Sequence, residues 1–367
     1  MKKNTALKTG GVVGGLLLVG ALLVHFDIIS SPKDLARRGP PQRDMVIDQK
    51  MRSQVLDSVI ATLNGAYIFP DKAKAMEAEL RARQKHGDYD KITSAEEFAS
   101  TLTDDLHRVT HDRHIDVGYS EDVIPVAAPG ADPDAMTPEH VQEMIQHNYG
   151  FEAVQRLNFN IGYLDLREFA PADQVAGRFA AAMTLLGDTD ALIIDLRANN
   201  GGDPKTVALL ASYLFDTHTR LNDIYDRPTN HTEQGWTQDQ LAGPKYGRKR
   251  KVFLLTSHDT FSAGEDFAYA MKNLKRATLV GESTGGGAHP GSAVRLNDHF
   301  GAIVPSGRSI SPITHTDWEG VGVIPDVATD ADDAMGRAEA MILQGRLADE
   351  QDPAKRERMQ KRIAELD

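Results

Sequence analysis

Apolar runs of strand length alternate with segments of helix length through the second half of the chain. Strands are predicted over 161–166, 191–196, 252–255 and 277–280, and helices over 171–186, 204–215 and 262–274. Near-continuous apolar strands that alternate with helices are typical of a parallel sheet buried on both faces. The pattern therefore predicts an α/β core.

The first half shows helical spacing instead. Apolar residues between Met45 and Leu63 recur mostly at four-residue steps, a second helical segment covers 73–83, and a third begins at Ser94. Glu97 lies three residues after Ser94, as in a capping box at a helix start. Three helices of this size predict a small bundle, and the alternation over 115–119 predicts a strand after it.

These changes of pattern divide the chain into five segments. We expect a signal peptide or N-terminal membrane anchor at 1–30, a linker rich in Pro, Arg and Ser at 31–44, the helical bundle at 45–115, the α/β core at 116–345 and a charged helical tail at 346–367. Residues 125–138, with several Pro, Ala, Asp and Gly, predict an exposed connection.

The first segment has the layout of an export signal. Lys2, Lys3 and Lys8 precede an apolar run over 10–24, which extends to 29 if His25 and Asp27 are included. Because no Ala-x-Ala cleavage site follows, both removal and retention as an anchor in the membrane remain open. In either case the lysines stay cytoplasmic and the remainder is extracytoplasmic, in a periplasm or at the cell surface.

Composition narrows the classes of function. The 367 residues are 41% hydrophobic, enough for a substantial core, and the net charge of −12 argues against a nucleic-acid surface. Cysteine is absent, which excludes disulfides, thiolate metal sites and a cysteine nucleophile. His111 and His114 have no third ligand nearby in the sequence, so we expect no metal and no cofactor.

Ser262 is the first candidate for chemistry. It follows the apolar strand over 252–255 and a short polar turn, and it precedes a helical segment. At a helix N-terminus, unpaired N–H groups and the helix dipole favour a nucleophilic oxygen or an oxyanion. Taken alone, the serine is more simply explained as a helix cap. Gly201 and Gly202, which follow the strand over 191–196, similarly expose backbone N–H groups and would otherwise be an ordinary turn.

Taken together, the motifs resemble those of the C-terminal processing (tail-specific) serine peptidases. The branch is the one that contains the interphotoreceptor retinoid-binding protein modules and the tricorn protease core. The matching motifs lie, in the order of the family, at 67–70, 112–114, 195–202, 260–265, 280–287 and 319–326, and the resemblance covers roughly 45–345. It implies a crotonase-like (ClpP/crotonase) core behind an N-terminal helical bundle. Residues 120–158 are too few and too poor in strand signals for an inserted PDZ module.

The resemblance also implies site residues. Ser262 is the expected nucleophile, with an oxyanion hole from the N–H of Ala263 and of Gly201 or Gly202. Tricorn-like members use an upstream histidine as base and a downstream glutamate, and His114 and Glu319 match those positions. His111 is a second candidate base. Arg113 departs from the tricorn pattern, which has a serine there.

A Ser-Lys dyad and an α/β-hydrolase triad both conflict with the sequence. Where Ser-Lys members carry a Gly-Lys-Gly turn, residues 285–288 are Gly-Gly-Gly-Ala. Lys272 and Lys275 lie 10 and 13 residues after Ser262 on one predicted helix, roughly 15–20 Å away. The chain order His, Ser, Glu differs from the Ser, acid, His of α/β-hydrolases, and Thr260 breaks their Gly-x-Ser-x-Gly motif.

The leading hypothesis is thus an exported serine peptidase that acts on polypeptides. The alternative is a non-catalytic binder of retinoid-like or lipid-like ligands on the same fold, as the retinoid-binding branch of the resemblance implies. A third possibility is a membrane-tethered scaffold for partner proteins.

Overall fold

The computed structural model describes residues 42–126 and 138–366. The predicted signal or anchor, nearly all of the linker and most of the predicted connection at 125–138 lie outside the described residues. Within the described ranges, no helix combines the length and apolar character needed to cross a bilayer.

Three helices pack together at the start of the described chain: α1 (Gln49–Ala66), α2 (Pro70–His86) and α3 (Ala95–Thr110). Side chains satisfy N–H groups at the start of two of them. Asp48 accepts from the N–H of Met51 at 2.8 Å, and Ser94 accepts from the N–H of Glu97 at 2.9 Å. The predicted start of α3 at Ser94 is therefore confirmed. The helices share an apolar core with strands of a neighbouring small sheet.

The strands form three sheets in the described part of the chain. They are β1 (Asp116–Tyr119), β2 (Phe151–Leu157), β3 (Ile161–Leu166), β4 (Ala191–Asp195), β5 (Arg220–Asp226), β6 (His231–Trp236), β7 (Lys251–Thr256), β8 (Thr278–Gly281), β9 (Gly291–Arg295), β10 (Phe300–Pro305), β11 (Gly307–Ile310) and β12 (Val327–Ala328). The central sheet has the order β12-β8-β7-β4-β3-β2, and all its pairs are parallel except β3 with β2. The fold is mixed α/β, and its sheet is largely parallel as predicted.

Helices cover both faces of this sheet. The remaining described helices are α4 (Pro138–Gln146), α5 (Ala172–Leu186), α6 (Pro204–Leu214), α7 (Ala263–Asn273), α8 (Ala334–Leu347) and α9 (Pro353–Leu366). Leu192 and Ile194 of β4 pack with α5, α6 and α7, whereas Ile193 packs with α8 and α9. Since successive strand side chains point to opposite faces, this explains the unbroken apolar run of β4.

The two smaller sheets are antiparallel, with orders β1-β10-β9 and β11-β5-β6. The sequence pattern predicted β1 but not the other strands of these sheets. β10 packs against α1, and its Phe300 contacts the ring of Phe98 in α3, so it joins the core of the N-terminal helices to the rest of the molecule. Ile68 near the end of α1 also donates its N–H to the carbonyl oxygen of Pro305 at 2.8 Å.

Candidate active site

Ser262 lies at the turn between β7 and α7. The helix begins at the next residue, Ala263, and Ser262 itself has φ 51° and ψ −117°. A positive φ costs free energy for a residue with a side chain, and such conformations cluster at functional sites. The turn thus holds the serine in a conformation that only the surrounding structure can maintain.

The carboxylate of Glu265 maintains this turn. It accepts from the N–H of Ser262 at 2.9 Å, from Gly286 at 2.7 Å and from Gly287 at 2.8 Å, and also from the hydroxyl of Thr284. Burial raises the pKa of Glu265 to about 7, although these hydrogen bonds act to lower it. Sequence reasoning assigned Glu265 no role. The Ser-x-x-Glu spacing from Ser262, a capping-box signal, could have indicated it.

The glycine pair approaches the serine from the end of the neighbouring strand. Gly201 has φ +108°, and a Cβ there would lie 2.8 Å from the Cβ of Ser262 and 3.1 Å from the nitrogen of Ala263. Gly202 has φ +128°, and a Cβ there would lie 2.2 Å from the carbonyl oxygen of Phe169. The structure therefore brings Gly201, Ser262 and Ala263 together, at distances that admit only glycine at position 201.

Asn199 braces this arrangement and was not singled out from the sequence. Its side chain is fully buried, donates to the carbonyl oxygen of Leu166 at 2.8 Å and accepts from the N–H of Gly201 at 3.0 Å. Its backbone carbonyl accepts from the N–H of Phe261 at 2.9 Å. Because the N–H of Gly201 is occupied, the N–H groups of Gly202 and Ala263 are the better candidates for an oxyanion.

His114 lies beside the residue that precedes the serine. Its ring contacts the ring of Phe261, with centroids 4.7 Å apart, and a Cβ on Gly287 would lie 2.6 Å from its Cε1. Both ring nitrogens are buried and have no hydrogen-bond partner among the described residues, the Ser262 hydroxyl included. Burial lowers the pKa of His114 to about 4, which Asp112 opposes and which His289 and Arg113 reinforce. The imidazole is neutral near pH 7.

The other candidate bases lie away from this turn. His111 ends α3 in a left-handed conformation with an exposed side chain. Lys272 donates to the carbonyl oxygen of Ile324 at 2.6 Å and pairs with Asp326 at 3.0 Å. Arg113, which is not a candidate base, does lie at the turn: it donates to the carbonyl oxygen of Gly285 at 3.0 Å and its guanidinium lies over the Phe261 ring.

Glu319 lies against a histidine that sequence reasoning missed. Its carboxylate accepts from the N–H of Ala288 at 2.6 Å and lies 3.3 Å from Nδ1 of His289. Burial, and then the charge of Asp112, raise the pKa of Glu319 to about 7. The structure joins Glu319 to His289 and shows no direct hydrogen bond from Glu319 to the unpaired ring nitrogens of His114.

Asp112 completes this group. Its carboxylate accepts from Tyr67 at 3.0 Å and from Nδ1 of His289 at 3.0 Å, and it lies 4.0 Å from Nδ1 of His114. Three potential metal-ligand atoms, one each from Asp112, His289 and Glu319, lie within 4.8 Å of one another. This spacing is close enough for a bound cation to be considered. A shared proton accounts for the contacts, because Nδ1 of His289 is hydrogen-bonded to Asp112 and the same carboxylates accept from Tyr67 and Ala288. We therefore interpret the three residues as a hydrogen-bonded group.

Fold and site together define an α/β protein with a serine on a strained strand-to-helix turn and a neutral imidazole beside that turn. Residues 160–329 match the model of peptidase family S41, and residues 47–161 match that of the N-terminal domain of Peptidase_S41 in eukaryotic IRBP. The chain belongs to peptidase family S41.

Curated relatives match parts of the chain. It is 32% identical over 175 residues to the chloroplastic carboxyl-terminal-processing peptidase 2 of Arabidopsis thaliana. The matched region covers 45% of this chain and 31% of the peptidase. It is 28% identical over 167 residues to the carboxyl-terminal-processing protease of Synechocystis sp., and this match covers 46% of this chain and 37% of the protease. The chain thus spans about a third of the length of these relatives.

Solved structures share the fold. A lipoprotein from Streptococcus agalactiae matches with a TM-score of 0.54 at 13% identity, over 83% of this chain and 97% of that one. Mature CPAF matches with a TM-score of 0.50 at 11% identity, over 78% and 94%. At these identities the likeness extends to the fold alone.

Proposed function

We propose that the protein is a serine peptidase that cleaves polypeptides, with Ser262 as nucleophile, His114 as base and Glu319 as a supporting acid. One observation carries the proposal: a buried, neutral imidazole without a hydrogen-bond partner adjoins the strained turn that presents the serine. An unsatisfied buried nitrogen is costly, so its persistence favours a role in proton transfer.

In the proposed reaction, Ser262 Oγ bonds to the peptide carbonyl carbon while its proton passes to His114. The N–H groups of Ala263 and of Gly202 or Gly201 stabilise the resulting oxyanion. His114 then gives the proton to the leaving amine as the C–N bond breaks. A water molecule, deprotonated by the same imidazole, hydrolyses the ester and restores Ser262. The hydrogen bond between a nucleophile and its base is often long before substrate binds. The lack of one between the Ser262 hydroxyl and the His114 imidazole is therefore compatible with this reaction.

The finer assignments extend this proposal. We infer a crotonase-like core, formed by the mixed sheet and its helices, behind an N-terminal bundle formed by α1 to α3. Polypeptide is the proposed substrate because the curated relatives are named as processing peptidases and proteases. An extracytoplasmic location is proposed from the lysines and apolar run of residues 2–29.

A labelling experiment tests the proposal. Incubation with a biotinylated phosphonate, followed by mass spectrometry, is expected to place the label on Ser262. Ser262→Ala abolishes labelling, and His114→Ala lowers cleavage of unfolded casein by about 10³-fold or more because the base is lost. Ser100→Ala, which removes an exposed hydroxyl on α3, serves as a control for the loss of a serine.

An unlabelled wild-type protein would contradict the peptidase assignment. Saturable uptake of a fluorescent fatty acid by such a protein would instead favour the apolar-ligand binder. Wild-type cleavage by His114→Ala would remove His114 as the base.

A further inference from the structure

We propose that His289 is a positioning residue of this site: its Nδ1–H holds the carboxylates of Asp112 and Glu319 together and so keeps negative charge facing the His114 imidazole. This inference rests on the proposed peptidase function and adds the link between Glu319 and the base.

The contacts form a continuous chain. Glu319 lies 3.3 Å from Nδ1 of His289, the same nitrogen lies 3.0 Å from Asp112, and the other oxygen of Asp112 lies 4.0 Å from Nδ1 of His114. That second oxygen also accepts from the backbone N–H of His114 at 3.1 Å. Asp112 is therefore fixed at both oxygens, and Glu319 reaches the base only through His289 and Asp112.

The surroundings fix the imidazole of His289. Its side chain is 4% exposed, and its ring packs edge-on against Phe69 with centroids 5.2 Å apart. The Tyr67 hydroxyl donates at 3.0 Å to the Asp112 oxygen that also contacts Nδ1 of His289. Since α1 ends just before Tyr67 and β9 begins just after Pro290, residues at the ends of these two elements hold the group.

The charges explain why a third group is needed between two acids. The hydrogen bond to Asp112, with the charges of Glu319, Asp112 and Asp317, raises the pKa of His289 despite its burial. Burial acts to raise the pKa of Asp112, but the hydrogen bond from His289 and the influence of His114 hold it below its usual value. The two neighbouring carboxylates thus favour the protonated form of His289.

Counting charge shows how the group serves the reaction. With His289 protonated and both acids ionised, the three side chains carry one net negative charge. Protonation of His114 by Ser262 cancels it, so the imidazolium forms beside a compensating anion. Protonation of Glu319, whose pKa is about 7, removes that negative charge. Activity should therefore fall as pH drops through about 7.

Two variants separate the hydrogen bond of His289 from its charge. Nδ2 of Asn lies where Nδ1 of His lies, so His289→Asn keeps the donor and loses the charge, whereas His289→Leu loses both. His299→Leu is the matched control, because the ring of His299 bonds to the carbonyl oxygen of Ser120, in another part of the fold. The assays are kcat and KM on unfolded casein from pH 5 to 9, and phosphonate labelling of Ser262.

Without a cation beside it, Glu319 ionises less readily. The pH at which kcat falls on the acidic side of its pH profile therefore rises by about one unit in both variants. At pH 9, we expect His289→Asn to keep kcat within about threefold of wild type and His289→Leu to lose about 100-fold, with little change in KM. In His299→Leu, the acidic side of the kcat pH profile should stay at its wild-type position.

Three results would overturn this role. Wild-type kinetics in His289→Leu, or equal losses in both variants with an unmoved acidic side of the pH profile, would leave His289 only structural. Loss of wild-type activity with a chelator and recovery with zinc would make the group a metal site. Absence of phosphonate labelling in the wild-type protein would instead reject the proposed function itself, which distinguishes the two failures.

Discussion

At the scale of single residues, the space beside Gly287 is filled by two rings of the candidate site. Ring atoms of Phe261 and His114 lie where a side chain at this position would begin: 2.3 Å and 2.6 Å from an added Cβ. A side chain at position 287 would therefore compete with the rings of Phe261 and His114 for the same volume.

A substitution at this glycine tests that competition. Gly287→Ala should lower kcat/KM by about tenfold or more, because the new methyl group displaces the imidazole or the Phe261 ring from its packed position. The measurement is casein cleavage together with the rate of phosphonate labelling. Gly177→Ala, in α5 with open space around the added methyl, is the control and should leave both rates unchanged. Full activity in Gly287→Ala would contradict the assignment of His114.

The sequence predicted part of this site and missed part of it. Ser262 and the glycine pair are recognisable because strand ends and glycines give a local signal. His289 and Asp112 are 177 residues apart and meet in the folded chain, where Asp112 follows α3 and His289 precedes β9. No local pattern marks such a pair, and the proposed roles of the site residues remain predictions.

At the scale of elements, helix starts and buried strands were the predictable features. Ser94 caps α3 because its hydroxyl satisfies an N–H that the helix leaves unpaired. β6 was missed because five of its six residues are exposed and none is buried, which erases the alternation that marks a half-buried strand. β12 was missed because it has only two residues.

Removal of the cap should weaken α3 measurably. Ser94→Ala is expected to lower the free energy of unfolding by about 1 kcal/mol, because one N–H at the helix start loses its partner. Urea denaturation followed by circular dichroism measures the change. Ser100→Ala lies on the exposed face of the same helix, and its stability should match or slightly exceed wild type. Equal stability of the two variants would argue against the cap.

At the scale of the whole molecule, the site joins the N-terminal helices to the core. Asp112 and His114 follow α3, whereas Ser262 immediately precedes α7 and His289 precedes β9. The docking contacts include Arg227, whose guanidinium donates to the carbonyl oxygens of Tyr67 at 2.6 Å and Asn64 at 3.2 Å. Contacts outside the serine turn therefore help to hold the N-terminal helices, and with them His114, against the core.

Weakening this junction should affect catalysis as well as stability. Arg227→Ala is expected to lower kcat/KM by about tenfold and stability by about 1–2 kcal/mol, because two carbonyls at the end of α1 lose a charged donor. Arg308→Ala, exposed on a neighbouring strand, controls for loss of positive charge and should change neither quantity by much. Unchanged kinetics in Arg227→Ala would show that the base does not depend on this contact.

The placement of the site across the junction also affects biosynthesis. The imidazole leaves the ribosome long before the serine, and the supporting acid at 319 follows later still. A nascent chain lacks the complete set until translation has passed that codon and both parts have docked. Under the proposed mechanism, an unfinished product can digest neither itself nor its neighbours, because the order of synthesis delays the assembly of the site.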